Sequence, residues 1–148
     1  GVKHTMKKLI IFTGAIILSG CFKFDLAKET VISPGDDPLV NVVYQKLLTS
    51  NGIEYTLNSD GYYVSGKSNL GKMTELADEA QEELRNVSTI QIESSCIANK
   101  VRAHLVGESF IIYQIDDGMY LKAASSVIDN HRVIREISIA QRECQENV

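Results

Sequence analysis

Two Asp-Gly pairs constrain this chain more than any other feature. Asp60-Gly61 and Asp117-Gly118 each separate two short runs of strand-like, largely alternating residues. Asp-Gly readily takes up the positive-φ positions of a tight turn, so each pair predicts a β-hairpin. The first hairpin joins residues 53–57 to 62–65, and the second joins residues 110–115 to 119–123. A lone two-stranded hairpin is marginal in water, so the flanking segments must cover it.

Those segments read as amphipathic helices. Asp37 is a good N-cap and Pro38 suits the first helical position. Leu39, Val40, Val43, Tyr44, Leu47 and Leu48 then recur at helical spacing until Asn51-Gly52 ends the run. A second helix carries Leu70, Met73, Leu76, Ala77, Ala80 and Leu84, with Ser68 or Asn69 as its cap and the acidic run Glu75 to Glu83 on its solvent face. Residues 88–92 look like a short strand. Ser94-Ser95 predicts the cap of a third helix carrying Ile97, Val101, His104 and Leu105. Ser126 with Asp129 resembles a capping box that opens a last helix through His131 and Ile134. Residues 137–144 read either way: Val133, Ile137, Ala140 and Cys144 share a helical face, while Ile137-Ser138-Ile139 alternates like a strand.

The fold class expected is α+β, a small antiparallel or mixed sheet with helices on one face. Asp60-Gly61-x-Tyr63 matches Asp117-Gly118-x-Tyr120 at an offset of 57, and Leu48 and Leu105 share it. Two copies of a helix–hairpin–helix(–strand) unit explain this, and so does one irregular domain with two similar hairpins. Both readings stay open at this level.

Charge is unevenly placed. The chain of 148 residues holds 15 Lys+Arg and 19 Asp+Glu, for a net charge of −4. Residues 1–20 hold Lys3, Lys7 and Lys8 and no acid, so the rest carries −7. An acidic body lacks the basic face that phosphate neutralisation needs, which argues against a nucleic-acid partner. Met6-Lys7-Lys8 is followed by the apolar run from Leu9 to Leu18 and then Ser19-Gly20-Cys21. A basic start, a short apolar core and small residues before a cleavage point form a secretory signal. The apolar run is far below the roughly 20 residues a membrane-spanning helix needs. Residues 1–5 read as a tag or upstream extension, 6–20 as the signal, 21–36 as a flexible tether, and 37–148 as the periplasmic domain.

Leu18-Ser19-Gly20-Cys21 resembles the lipobox of bacterial lipoproteins. That resemblance implies that Cys21 is acylated through its thiol, carries lipid such as palmitate, and becomes the first residue of the mature chain. Two or three acyl chains hold a protein stably on a bilayer. The residue after the cysteine is Phe22 rather than Asp, which in enterobacterial lipoproteins leans towards the outer membrane. With Cys21 acylated, Cys96 and Cys144 remain, and in an oxidising periplasm two cysteines predict a disulfide.

Residues 43–83 resemble two small modules. A helix ending at Gly52-Ile53 before a hairpin is similar to the ring-building motif of periplasmic secretion-ring lipoproteins. Asp60-Gly61-Tyr62-Tyr63-Val64-Ser65-Gly66, followed by a helix bearing Ala77 and Ala80, is similar to the BON domain. Both resemblances imply a non-catalytic module that binds proteins or lipid surfaces. A pilotin-like lipoprotein is a third analogy.

No catalytic constellation emerges, and no cofactor or metal is expected. His104 and His131 are 27 residues apart and have no ligand spacing to either cysteine. His104 reads as a half-buried structural histidine and His131 as a solvated helix residue. Asp36-Asp37 and Asp116-Asp117 have cap and turn roles, and the 12-residue calcium loop pattern is absent. Tyr62, Tyr63 and Tyr120 are the candidate interface residues, since hairpin tyrosines left outward make natural anchors. The function expected is therefore that of a lipid-anchored, non-enzymatic lipoprotein of the bacterial envelope. It binds a protein partner in a secretion, pilus or conjugation assembly. The rival expectation is a small-ligand or lipid-binding periplasmic lipoprotein.

Overall fold

The computed structural model describes residues 28–116 and 118–147. The fold is α+β, with two antiparallel three-stranded sheets among the described residues. The chain forms two compact units, Gly1–Glu79 and Ala80–Val148.

In the first unit, β1 (Glu29–Ile32) is followed by α1 (Pro38–Ser50), β2 (Thr56–Leu57) and β3 (Tyr63–Gly66). A 3-10 turn (Lys67–Asn69) then leads into α2 (Leu70–Glu83), within which the division between the units falls. The sheet order is β1-β3-β2. Helix α1 starts where the sequence predicts: Asp37 accepts from the Leu39 N–H at 2.9 Å, and Pro38 occupies the first turn. It stops at Asn51, and Gly52 follows at φ 68°, a left-handed position that a Cβ would strain. The Ile53 N–H then reaches back to the Leu48 carbonyl at 3.0 Å.

The second unit holds β4 (Val87–Ile92), α3 (Ser95–His104), β5 (Phe110–Ile115), β6 (Gly118–Ala124), α4 (Ser125–Ile128) and α5 (His131–Glu146). Its sheet order is β4-β6-β5. Ser94 caps α3, accepting from the Ile97 N–H at 3.2 Å. Ile97, Ala98, Val101 and Leu105 from the α3 segment and Val133, Ile137, Ala140 and Cys144 from α5 form one core with Ile92, Leu121 and Ala123 of the sheet.

The two units share one topology, strand–helix–hairpin–helix with the last strand in the middle. The ladder between the first and last strands of each unit also matches in register. Ile32 pairs with Tyr63 and Ile90 with Leu121, so both members of the pair move by 58 positions. The 3-10 turn after β3 and the short helix α4 after β6 begin 58 apart as well. The repeat is therefore real, but its phase differs from the expected one: each unit begins with its edge strand rather than ending on it.

Three further details depart from expectation, and one reading left open is decided. The stretch expected to be a tether contains β1, whose Thr30 is buried and whose backbone pairs with β3. Residues 137–144 are helical throughout, because the face Val133, Ile137, Ala140 and Cys144 is buried at three- and four-residue spacing. The Ser138 hydroxyl donates to the Ile134 carbonyl at 3.0 Å, a helical contact. Helix α5 is capped by Asn130, which accepts from the Arg132 N–H at 2.9 Å, and Ser126 lies inside α4 instead. Finally, alignment on the two Asp-Gly turns runs at 57, one residue short of the ladders. A one-residue slip exchanges the faces of a sheet, so Tyr63 corresponds in space to Leu121 and not to Tyr120.

Candidate functional site

That slip sorts the hairpin tyrosines. Tyr63 is 1% exposed and belongs to the core of the first unit. Its ring meets Tyr44 edge-on at 4.8 Å and lies 5.3 Å from Tyr55. Its hydroxyl accepts from Gln45 Nε2 at 3.0 Å and donates to Asn41 Oδ1 at 3.0 Å. Burial pushes the Tyr63 phenol up to about 12, with the Gln45 hydrogen bond pulling the other way and Tyr55 adding a little. Tyr44 is raised by the same cause, and its hydroxyl donates to the Met73 carbonyl at 3.1 Å. Burial also raises Tyr55. Tyr63 is thus a packing residue, which corrects its expected place at an interface. Tyr62, its neighbour, is 41% exposed on the β2–β3 connection, and its N–H donates to Asn58 Oδ1 at 2.9 Å.

Tyr120 faces the other way from the core residues of its strand. Met119, Leu121 and Ala123 of β6 point to the helices α3 and α5, as do Phe110 and Ile112 of β5. Alternation places Tyr120 and Lys122 of β6 and Ile111, Tyr113 and Ile115 of β5 on the opposite face. Tyr113 sits directly across from Tyr120, and their rings stack at 5.8 Å with planes 28° apart. The Tyr120 ring folds over Gly118, where an added Cβ would lie 2.7 Å from the tyrosine hydroxyl. Ile111 is opposite Lys122, while Gln91 and Thr89 of β4 extend the face as polar neighbours of Tyr120 and Lys122. Ile115, at the hairpin end, is 55% exposed.

This outer sheet face is the candidate site: an aromatic pair and two isoleucines, with polar groups to one side. The sequence singled out Tyr120, whereas Ile111, Tyr113 and Ile115 were missed as site residues. Period-two alternation from the buried Leu121 would have found them. Tyr62 belongs to the first unit, so the candidate tyrosines do not form one cluster within a unit.

The cysteines come together. Cys96 and Cys144 form a disulfide with Cα atoms 6.0 Å apart, linking the first turn of α3 to the last turns of α5. The link is therefore between two helices. Cys21 lies outside the described residues.

An ionic cluster spans the same pair of helices. Glu136 Oε2 lies 3.3 Å from His104 Nδ1, and Glu143 Oε2 lies 3.2 Å from His104 Nε2. Lys100 Nζ is 3.6 Å from Glu143. The His104 hydrogen bond holds the Glu143 carboxyl below its ordinary range; desolvation opposes it, and the charges of His104 and Lys100 add to the lowering. A carboxylate lowered on folding stabilises the fold above its unfolded pKa, and that contribution disappears as pH falls through the folded value. Thermal melts of wild type and His104→Gln should therefore differ where Glu143 is ionised in the unfolded chain, above about pH 5, and converge as pH falls towards about 3. Parallel curves would exclude this coupling. Elsewhere in the second unit, Arg132 pairs with Glu108.

His131 opens α5 as an exposed residue, and Lys72–Glu75 and Arg85–Glu82 are exposed pairs around the acidic face of α2. Among the described residues, no group of three His, Cys, Asp or Glu side chains is arranged to hold a metal ion. Nor is any helix among them long and apolar enough to cross a membrane. No protein-family model, curated protein or solved structure matches the chain.

Proposed function

We propose that this protein is a lipid-anchored, non-catalytic component of the bacterial cell envelope that works by binding another envelope protein. The anchor reading rests on the run from Met6 to Cys21, with Cys21 as the acylated residue and Phe22 favouring the outer membrane. The binding reading is carried by one observation: the outer face formed by Ile111, Tyr113, Ile115 and Tyr120. Apolar and aromatic groups placed beside polar ones match the composition of protein interfaces, where tyrosine anchors are enriched. The tandem repeat supports the same reading, because the ring-building and BON-type modules that the first unit resembles are binding modules. A secretion, pilus or conjugation assembly is the partner class proposed, through that resemblance.

Crosslinking in intact cells followed by affinity recovery tests the binding reading. Recovery should enrich one envelope protein, and Tyr120→Asp should abolish that enrichment without changing the level of the lipoprotein. Recovery of the lipoprotein alone would count against it. The anchor has a separate test. A Cys21→Ser chain should leave the membrane fraction, and continued partition with membranes would refute lipidation as the anchor.

A further inference from the structure

We propose that the Cys96–Cys144 bond is made and opened through Cys96: Cys96 exchanges with an external disulfide or thiolate, and Cys144 reacts only with Cys96. The two cysteines are placed unequally. Cys96, in the first turn of α3, is exposed, as are Glu93, Ser94 and Ser95 before it and Asn99 one turn on. Cys144 is 9% exposed and lies on the buried face of α5, in one core with Ile97, Val101 and Ala140. Thiol–disulfide exchange requires the incoming sulfur to reach its target sulfur directly, so access selects the cysteine that takes the mixed disulfide. An external sulfur meets Cys96 from solvent. At Cys144 it would first have to displace the packing of α3 on α5.

In the forming direction, Cys96 loses its proton to water and its thiolate attacks one sulfur of the external disulfide. That S–S bond breaks, its second sulfur leaves as a thiolate, and a mixed disulfide stands on Cys96. Cys144, deprotonated in turn, attacks Sγ of Cys96, and the external group leaves as a second thiolate. Two electrons have then passed from the cysteine pair to the external disulfide, which ends as two thiols once it takes up two protons. Opening runs the same path backwards: an external thiolate attacks Cys96, and Cys144 is the sulfur released. The N–H groups of the first turn of α3 favour negative charge on Cys96 as it attacks. In the opening direction they would favour Cys96 as the leaving sulfur instead, and the burial of Cys144 is what prevents that order. Helices α3 and α5 pack on the inner face of the β4-β6-β5 sheet. Exchange at Cys96 and binding on the outer face therefore use opposite sides of the second unit, and the proposal does not rest on the binding reading.

Peptide-resolved mass spectrometry of the full chain tests this, because adducts at Cys21, Cys96 and Cys144 are read separately. Wild type, folded and with its bond intact, is treated briefly with reduced glutathione, quenched in acid and alkylated. Glutathione should be found on Cys96 and the alkyl group on Cys144. Single variants then read the forming direction with glutathione disulfide as the probe. Cys144→Ala should gain glutathione at Cys96 about tenfold or more faster than Cys96→Ala gains it at Cys144. In concentrated urea the two rates should converge, as they must if access sets the native difference. Glutathione on Cys144 of the wild type, or equal adducts on both cysteines, would overturn the proposal. So would equal rates in variants that keep the circular dichroism of the wild type, or a wild-type bond that dithiothreitol opens and glutathione does not. Where a variant loses the fold along with the bond, the wild-type adduct decides.

Discussion

Replacing Cys96 and Cys144 together by alanine should lower the stability of the second unit by about 4 kcal/mol. The bond closes a loop over a sequence separation of 48 residues, and on the loop-entropy model such a cross-link removes roughly that much freedom from the unfolded chain. Whole domains are stable by only about 5–15 kcal/mol, so the loss is a large share of the total. Urea melts of the oxidised, reduced and doubly substituted chains measure it. The reduced and substituted proteins should unfold at similar, much lower midpoints than the oxidised one. A reduced protein with the oxidised midpoint would show that the α3–α5 contact stands without the bond. The compartment matters for the same reason: a chain kept in a reducing cytoplasm would be held together by Ile97, Val101, Val133 and Ile137 without this closure.

Tyr63→Ala should cost about 3–5 kcal/mol, the range for removing a buried aromatic ring. Tyr63 is 1% exposed, packs between Tyr44 and Tyr55, and ties β3 to α1 through Gln45 and Asn41. Tyr63→Phe keeps the ring and loses only the hydroxyl contacts, so about 1 kcal/mol is expected. Tyr120→Ala should cost about 1 kcal/mol, mainly the stacking with Tyr113. The contrast tests the 58-residue register, since the Asp-Gly alignment makes Tyr63 and Tyr120 equivalent and predicts equal losses. Denaturant melts of the three variants separate the two.

Much of the local structure was legible because its signals are short-range. Asp37-Pro38, Ser94 and Asn51-Gly52 mark helix ends through contacts within four or five residues. The two hairpins were legible from their turns, and the disulfide from the cysteine count together with the export expected of residues 6–20. What escaped depends on distant partners. β1 is four residues without clear alternation, and its pairing with β3 crosses more than thirty residues. Tyr63 is buried while Tyr120 faces outward, so the Asp-Gly turns that equate the two in sequence do not equate them in the sheets. Measured from the paired residues Leu57↔Tyr63 and Ile112↔Leu121, the second hairpin is three residues longer, so turn and ladder cannot align together. At residues 137–144, Ile137-Ser138-Ile139 has strand-like alternation, and only the buried positions 133, 137, 140 and 144 decide for a helix. The candidate face followed from the same parity. Once Leu121 is known to be buried, Tyr120, Tyr113, Ile111 and Ile115 fall outward together.

The proposed envelope location underlies both the expectation of a disulfide and the class of partner proposed. Mass spectrometry of the mature chain isolated from membranes tests it most directly. The expected polypeptide begins at Cys21, carries a thioether-linked diacylglycerol and lacks residues 1–20. A mature chain that retains residues 6–20, or that carries Cys21 with a free thiol, would contradict it.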